Sequence, residues 1–267
     1  MGVYRPPNLS QRCTIGSTNL NTIADILALA DQYERELPPI PTPPQLPKGK
    51  EIAGFIDHTL LKPEATAEQV KVICQEALQH QFASVCINPA YVPLVAGLLS
   101  GSPVATCTTV GFPLGASLPS LKAFETLSCI EHGATEIDMV MNVGALKGQA
   151  YGMVLNDVQA VVQVAHNQRH LVKVILETCL LTRKEKIIAC LLCQASGADY
   201  VKTSTGFNTA GATVEDVNLM YRVVGTTTKV KAAGGIRDLQ AALAMIQAGA
   251  SRIGTSASLT IIKEASG

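Results

Sequence analysis

With 267 residues, 47% of them hydrophobic and only 16% charged, the chain has the composition of a globular protein with a large core. Its 21 basic and 21 acidic side chains cancel, which excludes a global attraction for nucleic acid or an acidic membrane surface. No apolar run approaches the ~20 residues that a membrane helix needs.

The opening Met1-Gly2-Val3-Tyr4-Arg5-Pro6 lacks the apolar centre of a signal peptide, and Pro6 stands where a myristoylation signal needs Ser or Thr. Asn8-Leu9-Ser10 has the form of a glycosylation sequon, expected to be inert in a protein that is not secreted. From Asn21 to Leu37 the pattern predicts an amphipathic helix, with Ile23, Ile26, Leu27 and Ala30 on one face. Pro38, Pro39, Pro41, Pro43, Pro44 and Pro47 then exclude helix and predict an extended linker. Residues 1–50 therefore read as an extension ahead of the main domain, which spans 51–267.

From residue 51 strand-like and helix-like segments alternate. The predicted strands are Gly54–His58, Phe82–Asn88, Val104–Val110, Glu136–Val143, Leu171–Glu177, Tyr200–Thr205, Lys229–Ala233 and Ser251–Ser256. Thr66-Ala67-Glu68-Gln69 and Thr182-Arg183-Lys184-Glu185 are capping boxes that open helices. Gly133-Ala134, Gly197-Ala198 and Gly249-Ala250 each end a helix just before a strand, a weak internal repeat. Eight strands in this rhythm predict a parallel (β/α)8 TIM barrel; a doubly wound sheet is the competing fold. Cys13, Cys74, Cys86, Cys107, Cys129, Cys179, Cys190 and Cys193 are scattered among apolar residues. They read as reduced core thiols of a cytoplasmic protein, not as disulfides or zinc ligands.

In such barrels the chemistry lies at the C-terminal ends of the strands. That rule selects Asp57 and His58, Asp138, Lys173 with Glu177, Lys202 and Lys231. Each alone has a structural reading: Asp57 and His58 as a strand-end cap, Lys173 and Glu177 as an internal pair. Charges from several strands converging on one mouth argue against it, because buried ions cost several kcal/mol each. Glycine-rich turns containing Gly206, Gly234 and Gly235, and the run Ile253-Gly254-Thr255-Ser256, supply amides and hydroxyls suited to a phosphate. Two neighbouring lysines suit Schiff-base chemistry. Lowering a lysine from about 10.4 to about 7 takes roughly 4–5 kcal/mol. A second ammonium ~4 Å away supplies about 4 kcal/mol at an effective dielectric near 20.

Phe55-Ile56-Asp57-His58-Thr59-Leu60-Leu61-Lys62-Pro63, Val85-Cys86-Ile87-Asn88-Pro89, Glu136-Ile137-Asp138-Met139-Val140, Lys202-Thr203-Ser204-Thr205-Gly206, Val230-Lys231-Ala232-Ala233-Gly234-Gly235-Ile236-Arg237 and Arg252-Ile253-Gly254-Thr255-Ser256 resemble the deoxyribose-phosphate aldolase family. The similarity runs in order from about residue 52 to 260. It implies a class I aldolase, a carbon–carbon lyase without metal or cofactor. Such an enzyme interconverts 2-deoxy-D-ribose 5-phosphate with acetaldehyde and D-glyceraldehyde 3-phosphate. By the resemblance, Lys202 is the Schiff-base lysine, Lys231 the second lysine that lowers its pKa and serves as a proton donor and acceptor, and Asp138 the proton carrier. Lys173 is a supporting residue, and Gly206, Gly234, Gly235, Gly254 and Ser256 contact phosphate. Partners are small sugar phosphates and aldehydes, without nucleic acid or membrane, in a homodimer or higher homo-oligomer. Phe207 departs from the pattern, standing where some members place a cation. Rival expectations are another Schiff-base sugar-phosphate aldolase or transaldolase, a barrel isomerase working without a covalent intermediate, and a silent binding barrel.

Overall fold

The computed structural model describes residues 14–15, 18–20, 22–42 and 44–267. Pro6, the Asn8 sequon, Cys13, Asn21 and Pro43 lie outside them. Helix α1 (Ile23–Arg35) starts at Thr22, whose hydroxyl accepts from the Asp25 amide in a reciprocal capping box. It buries Ile26, Leu29 and Ala30 against α7 (Arg183–Ala195), and Lys184 on that helix reaches Asp31 at 2.6 Å. The prolines that follow hold the chain extended. Arg222 Nε donates to the Pro38 carbonyl at 2.7 Å and the Tyr221 hydroxyl to that of Thr42 at 2.8 Å, strapping the segment to α8 (Val214–Val224). Helix α7 is thus covered on both sides, and every residue from Ile187 to Gln194 is buried. That burial explains why the helix is apolar on nearly every side after its charged first turn, Arg183-Lys184-Glu185-Lys186.

Eight parallel strands close into a barrel: β1 (Ile56–Leu60), β2 (Ser84–Ile87), β3 (Ala105–Val110), β4 (Glu136–Val140), β5 (Leu171–Ile175), β6 (Tyr200–Lys202), β7 (Lys229–Ala233) and β8 (Arg252–Thr255). β8 pairs with both β7 and β1, closing the sheet. The chain is a (β/α)8 barrel, as the alternation predicts. Helices α2 (Ala67–His80) and α7 begin at the two predicted capping boxes. Strand ends differ from expectation. β1 starts two residues late because a 3-10 turn, Gly49–Phe55, takes up Gly54 and Phe55. β5 stops at Ile175, and Glu177 turns left-handed at φ 57°.

The main core lies between strands and helices, where Val172, Val174 and Leu176 of the β5 segment pack outward. Inside the barrel, alternation and register sort the inward side chains into tiers. Ser84, Glu136, Tyr200 and Arg252 come from even strands at the bottom. Asp57, Cys107, Lys173 and Lys231 come from odd strands in the middle. Cys86, Asp138, Lys202 and Gly254 form the upper tier, again from even strands. Seven of these twelve residues carry a carboxylate, an ammonium or a guanidinium, and they sit where a barrel usually stacks aliphatic residues.

Candidate active site

Asp138 is the hub. Fully buried, it accepts from Lys173 Nζ at 2.8 Å, Lys202 Nζ at 2.7 Å and Lys231 Nζ at 2.6 Å, with Cys107 Sγ at 3.2 Å. Burial pushes its carboxyl up, but Lys173, Lys202 and Lys231 outweigh that and hold it well below the usual carboxylate range. Asp57 is the second acidic group. It meets Lys231 at 2.5 Å and Arg252 more closely still, and these cations with Lys173 overcome burial and keep it low. Glu136 completes the set, 2.6 Å from Lys173 and 2.8 Å from Arg252.

The lysines differ in surroundings. Burial alone would push Lys231 down, but Asp138 and Asp57 raise it above the ordinary lysine value, so it stays an ammonium. The same opposition holds for Lys173, where Asp138, Cys107, Glu136 and Asp57 prevail over burial. Lys202 touches one carboxylate among the described residues, and at 2% exposure it alone of the three reaches toward the mouth; the other two are at 0%. Lys202 and Lys231 both bind Oδ2 of Asp138. The neighbour of Lys202 is therefore a lysine–carboxylate pair, where the sequence suggested a bare ammonium.

Two structural alternatives fail. Glu177 does not neutralise Lys173: beyond the end of β5 it turns aside and accepts from the Thr205 amide at 3.2 Å and from its hydroxyl. Asp57 is no strand-end cap, because it lies in the middle tier beside Lys173 and Lys231 and below Lys202. His58 points the other way, between Glu76 at 2.6 Å and Ser258 at 2.8 Å. Glu136, Arg252 and Cys107 were missed as partners, although their alternation with Asp138, Gly254 and Thr109 marks the inner face.

The glycine turns stand above this cluster. Gly206, Gly234 and Gly235 have φ of 85°, 90° and 80°, so glycine is needed there. The amides of Gly206, Gly235 and Ser256 have no acceptor among the described residues. The loops after β6 and β7 are locked together by Gly211, where a β-carbon would lie 2.2 Å from the Gly234 carbonyl oxygen. Gly254 is placed differently, inside the wall of β8, where its missing side chain leaves room for Lys231. Phe207 does not face a phosphate cradle; it meets Phe112 edge-on at 5.2 Å across the mouth. Phe112 continues into an apolar patch of Leu61, Cys86 and Cys107, so one wall of the site is charged and the other apolar. The thiols and carboxylates could in principle gather a metal ion, but Asp57, Glu136 and Asp138 are each already paired with ammonium or guanidinium groups.

A (β/α)8 barrel with one lysine nearest its mouth, a second lysine and an ionised aspartate beneath unpaired loop amides has the make-up of an aldolase of the amine-dependent class. The chain belongs to the DeoC/LacD family of aldolases, whose model matches residues 52–264. It is 57% identical over 214 residues to a deoxyribose-phosphate aldolase of Clostridium tetani, covering 80% of this chain and 99% of that one. It is 59% identical over 218 residues to one of Shouchella clausii, covering 81% and 97%. Among solved structures, the tetrameric deoxyribose phosphate aldolase of Aeropyrum pernix superposes with a TM-score of 0.77 at 32% identity, covering 91% of this chain and 97% of that one.

Proposed function

We propose that this protein cleaves 2-deoxy-D-ribose 5-phosphate reversibly to D-glyceraldehyde 3-phosphate and acetaldehyde, with Lys202 forming the Schiff base. The observation that carries this is the shared Asp138 Oδ2, 2.7 Å from Lys202 and 2.6 Å from Lys231, in a site where only Lys202 reaches the mouth. Neutral Lys202 attacks C1 of the open-chain sugar, and loss of water gives the iminium. Asp138, directly or through a water, takes the C3 hydroxyl proton as the C2–C3 bond breaks; its electrons pass to C2 and the iminium becomes an enamine. Glyceraldehyde 3-phosphate leaves, the enamine is protonated at C2, and water releases acetaldehyde. Lys231 stays an ammonium and with Lys173 keeps Asp138 ionised and in place. The amides of Gly206, Gly234, Gly235 and Ser256 hold the phosphate; Gly254 contributes by its place in the wall of β8.

Helix α1, in the extension of residues 1–50, covers α7, and 51–267 carry the reaction. We read the protein as a cytoplasmic homo-oligomer. The exposed apolar stripe of Leu118, just ahead of α4 (Pro119–Glu131), with Leu121 and Phe124 on that helix supports the assembly. The free thiols of Cys74, Cys86, Cys107, Cys129, Cys179, Cys190 and Cys193 support a reducing compartment. No described helix is long and apolar enough to cross a membrane.

The test is borohydride reduction with acetaldehyde followed by peptide mapping. N-ethyl-lysine at position 202 in the wild type, and its loss in Lys202→Met with retained folding, is the expected result. A trapped adduct on another lysine, or none, refutes the assignment.

A further inference from the structure

The sequence singled out the lysines, but the ionic network does not stop with them. Arg252, in the bottom tier, forks between Asp57 Oδ1 and Glu136, with Nη2 2.8 Å from Glu136 Oε1 and Nη1 3.2 Å from Oε2. It therefore occupies two of the three carboxylates from below, while the lysines use the same groups from above. Counting the connected ions gives four cations (Lys173, Lys202, Lys231 and Arg252) against three carboxylates (Asp57, Glu136 and Asp138).

We infer that Arg252 is a positioning residue whose permanent charge leaves the site one proton too many, so that one lysine must stand as a free amine, and that this amine is Lys202. The inference rests on the Schiff-base reading above. A guanidinium does not give up its proton in a protein, so the surplus falls on a lysine. Lys231 is held by Asp57 at 2.5 Å and Asp138 at 2.6 Å. Lys173 is held by Glu136 at 2.6 Å and Asp138 at 2.8 Å, with Asp57 at 3.8 Å. Lys202 has a single carboxylate contact, and the oxygen it uses already serves Lys231. It loses least by releasing a proton, and it is the one from which a proton can leave toward the mouth.

Other polar groups border the network without an ion pair to it among the described residues. Tyr200 and Ser84 share the bottom tier with Arg252. Cys86 and Cys107 lie beside Asp138, and the hydrogen bond with Cys107 draws the Cys86 thiol below its usual value. Burial, Cys86 and Asp138 together push the Cys107 thiol well above its usual value, so it stays neutral. Glu177, on the loop after β5, is engaged by Thr205 and pairs with no lysine within 4.0 Å among the described residues. Arg252 thus touches neither substrate nor reacting atoms, yet fixes the proton inventory of the residues that do.

The experiment uses the full-length enzyme as wild type, Arg252→Met, Arg252→Lys and Glu136→Gln. The pH dependence of kcat/KM for 2-deoxyribose 5-phosphate cleavage is measured beside the pH dependence of borohydride trapping with acetaldehyde. Arg252→Met balances the ions, so the acid limb of both profiles should move up by about one pH unit, a tenfold loss below the limb that is regained at higher pH. Arg252→Lys keeps the charge and should keep the wild-type limb. Glu136→Gln enlarges the surplus and should move the limb down. Should Arg252→Met not fold, the opposite shift of Glu136→Gln decides alone. A uniform rate loss without movement of the limb, or equal shifts in Arg252→Met and Arg252→Lys, overturns the inference while trapping at Lys202 leaves the aldolase reading standing. Absence of any trapped lysine in the wild type overturns the aldolase reading and this inference with it.

Discussion

Replacing Gly254 by alanine should lower kcat far more than it raises KM. The added β-carbon would sit 3.0 Å from Cβ of Ala233 and 3.1 Å from Cε of Lys231. Carbon–carbon contacts are comfortable at about 3.5–4.0 Å, so each neighbour must withdraw by about half an ångström. Ala233 Cβ is fixed to β7, which is paired to β8 at Gly254 itself, and has little freedom to retreat. Lys231 must yield instead, although its ammonium is held 2.5 Å from Asp57 and 2.6 Å from Asp138. Overpacking of this kind costs about 1–3 kcal/mol of stability. A misplacement of about 1 Å can cost about 100-fold in rate, so a shift of about half that predicts a loss of about tenfold. The discriminating assay compares 2-deoxyribose 5-phosphate with unphosphorylated 2-deoxyribose. If Gly254 serves to make room for Lys231, kcat falls equally for both. Were it chiefly a phosphate ligand, alanine would keep the amide and disturb at most the KM of the phosphorylated sugar. A kcat within about twofold of wild type for both substrates refutes the packing argument.

Lys122, wholly buried on α4, donates to the Val140 carbonyl at 2.8 Å and to Asp157 at 2.6 Å. Lys122→Met strands a buried carboxylate and should cost about 3–5 kcal/mol by urea denaturation, whereas Lys122→Met with Asp157→Leu should recover most of it; a single variant no worse than the double refutes this. His58 supplies a pH dependence. Burial pushes its pKa below the ordinary value, against the opposing pull of Glu76. The unfolded chain therefore takes up the proton first, so the stabilisation is complete above about pH 6.5 and is lost as pH falls below it. Urea midpoints measured between about pH 7.5 and pH 5.5 should decline in the wild type and flatten in His58→Gln. Parallel slopes refute the assignment.

The barrel was legible because its signals are local. Period-two and period-3.6 runs, and the capping boxes at Thr66 and Thr182, need no knowledge of the rest of the chain. Strand ends were less so, since the left-handed turn at Glu177 depends on the hydroxyl and amide of Thr205, which belongs to the next βα unit. That one turn undoes the expected pairing with Lys173, which alternation alone supports. Lys122 was hidden for the opposite reason. On α4 the apolar Leu121 and Phe124 face outward while the lysine faces in, so hydrophobic pattern points the helix the wrong way. An exposed apolar face is what an assembled surface requires, and an isolated chain's periodicity cannot separate that from a core face.

The ionic tiers are the deepest case. Asp57, Glu136 and Arg252 stand in quoted motifs, yet which carboxylate meets which cation follows only from register across β1, β4, β5, β7 and β8. The register also explains why the charges extend below the residues that react. A lone Lys202–Asp138 pair buried at the barrel mouth would cost several kcal/mol in desolvation and would tend to hold the amine as an ammonium. A second and third lysine on the same carboxylate keep it ionised and compete for its oxygens, but they need carboxylates of their own. Asp57 and Glu136 provide those, and left alone they would balance the lysines one for one. Arg252 engages both from beneath, so the balance is broken at the point farthest from the substrate and released at the lysine nearest to it.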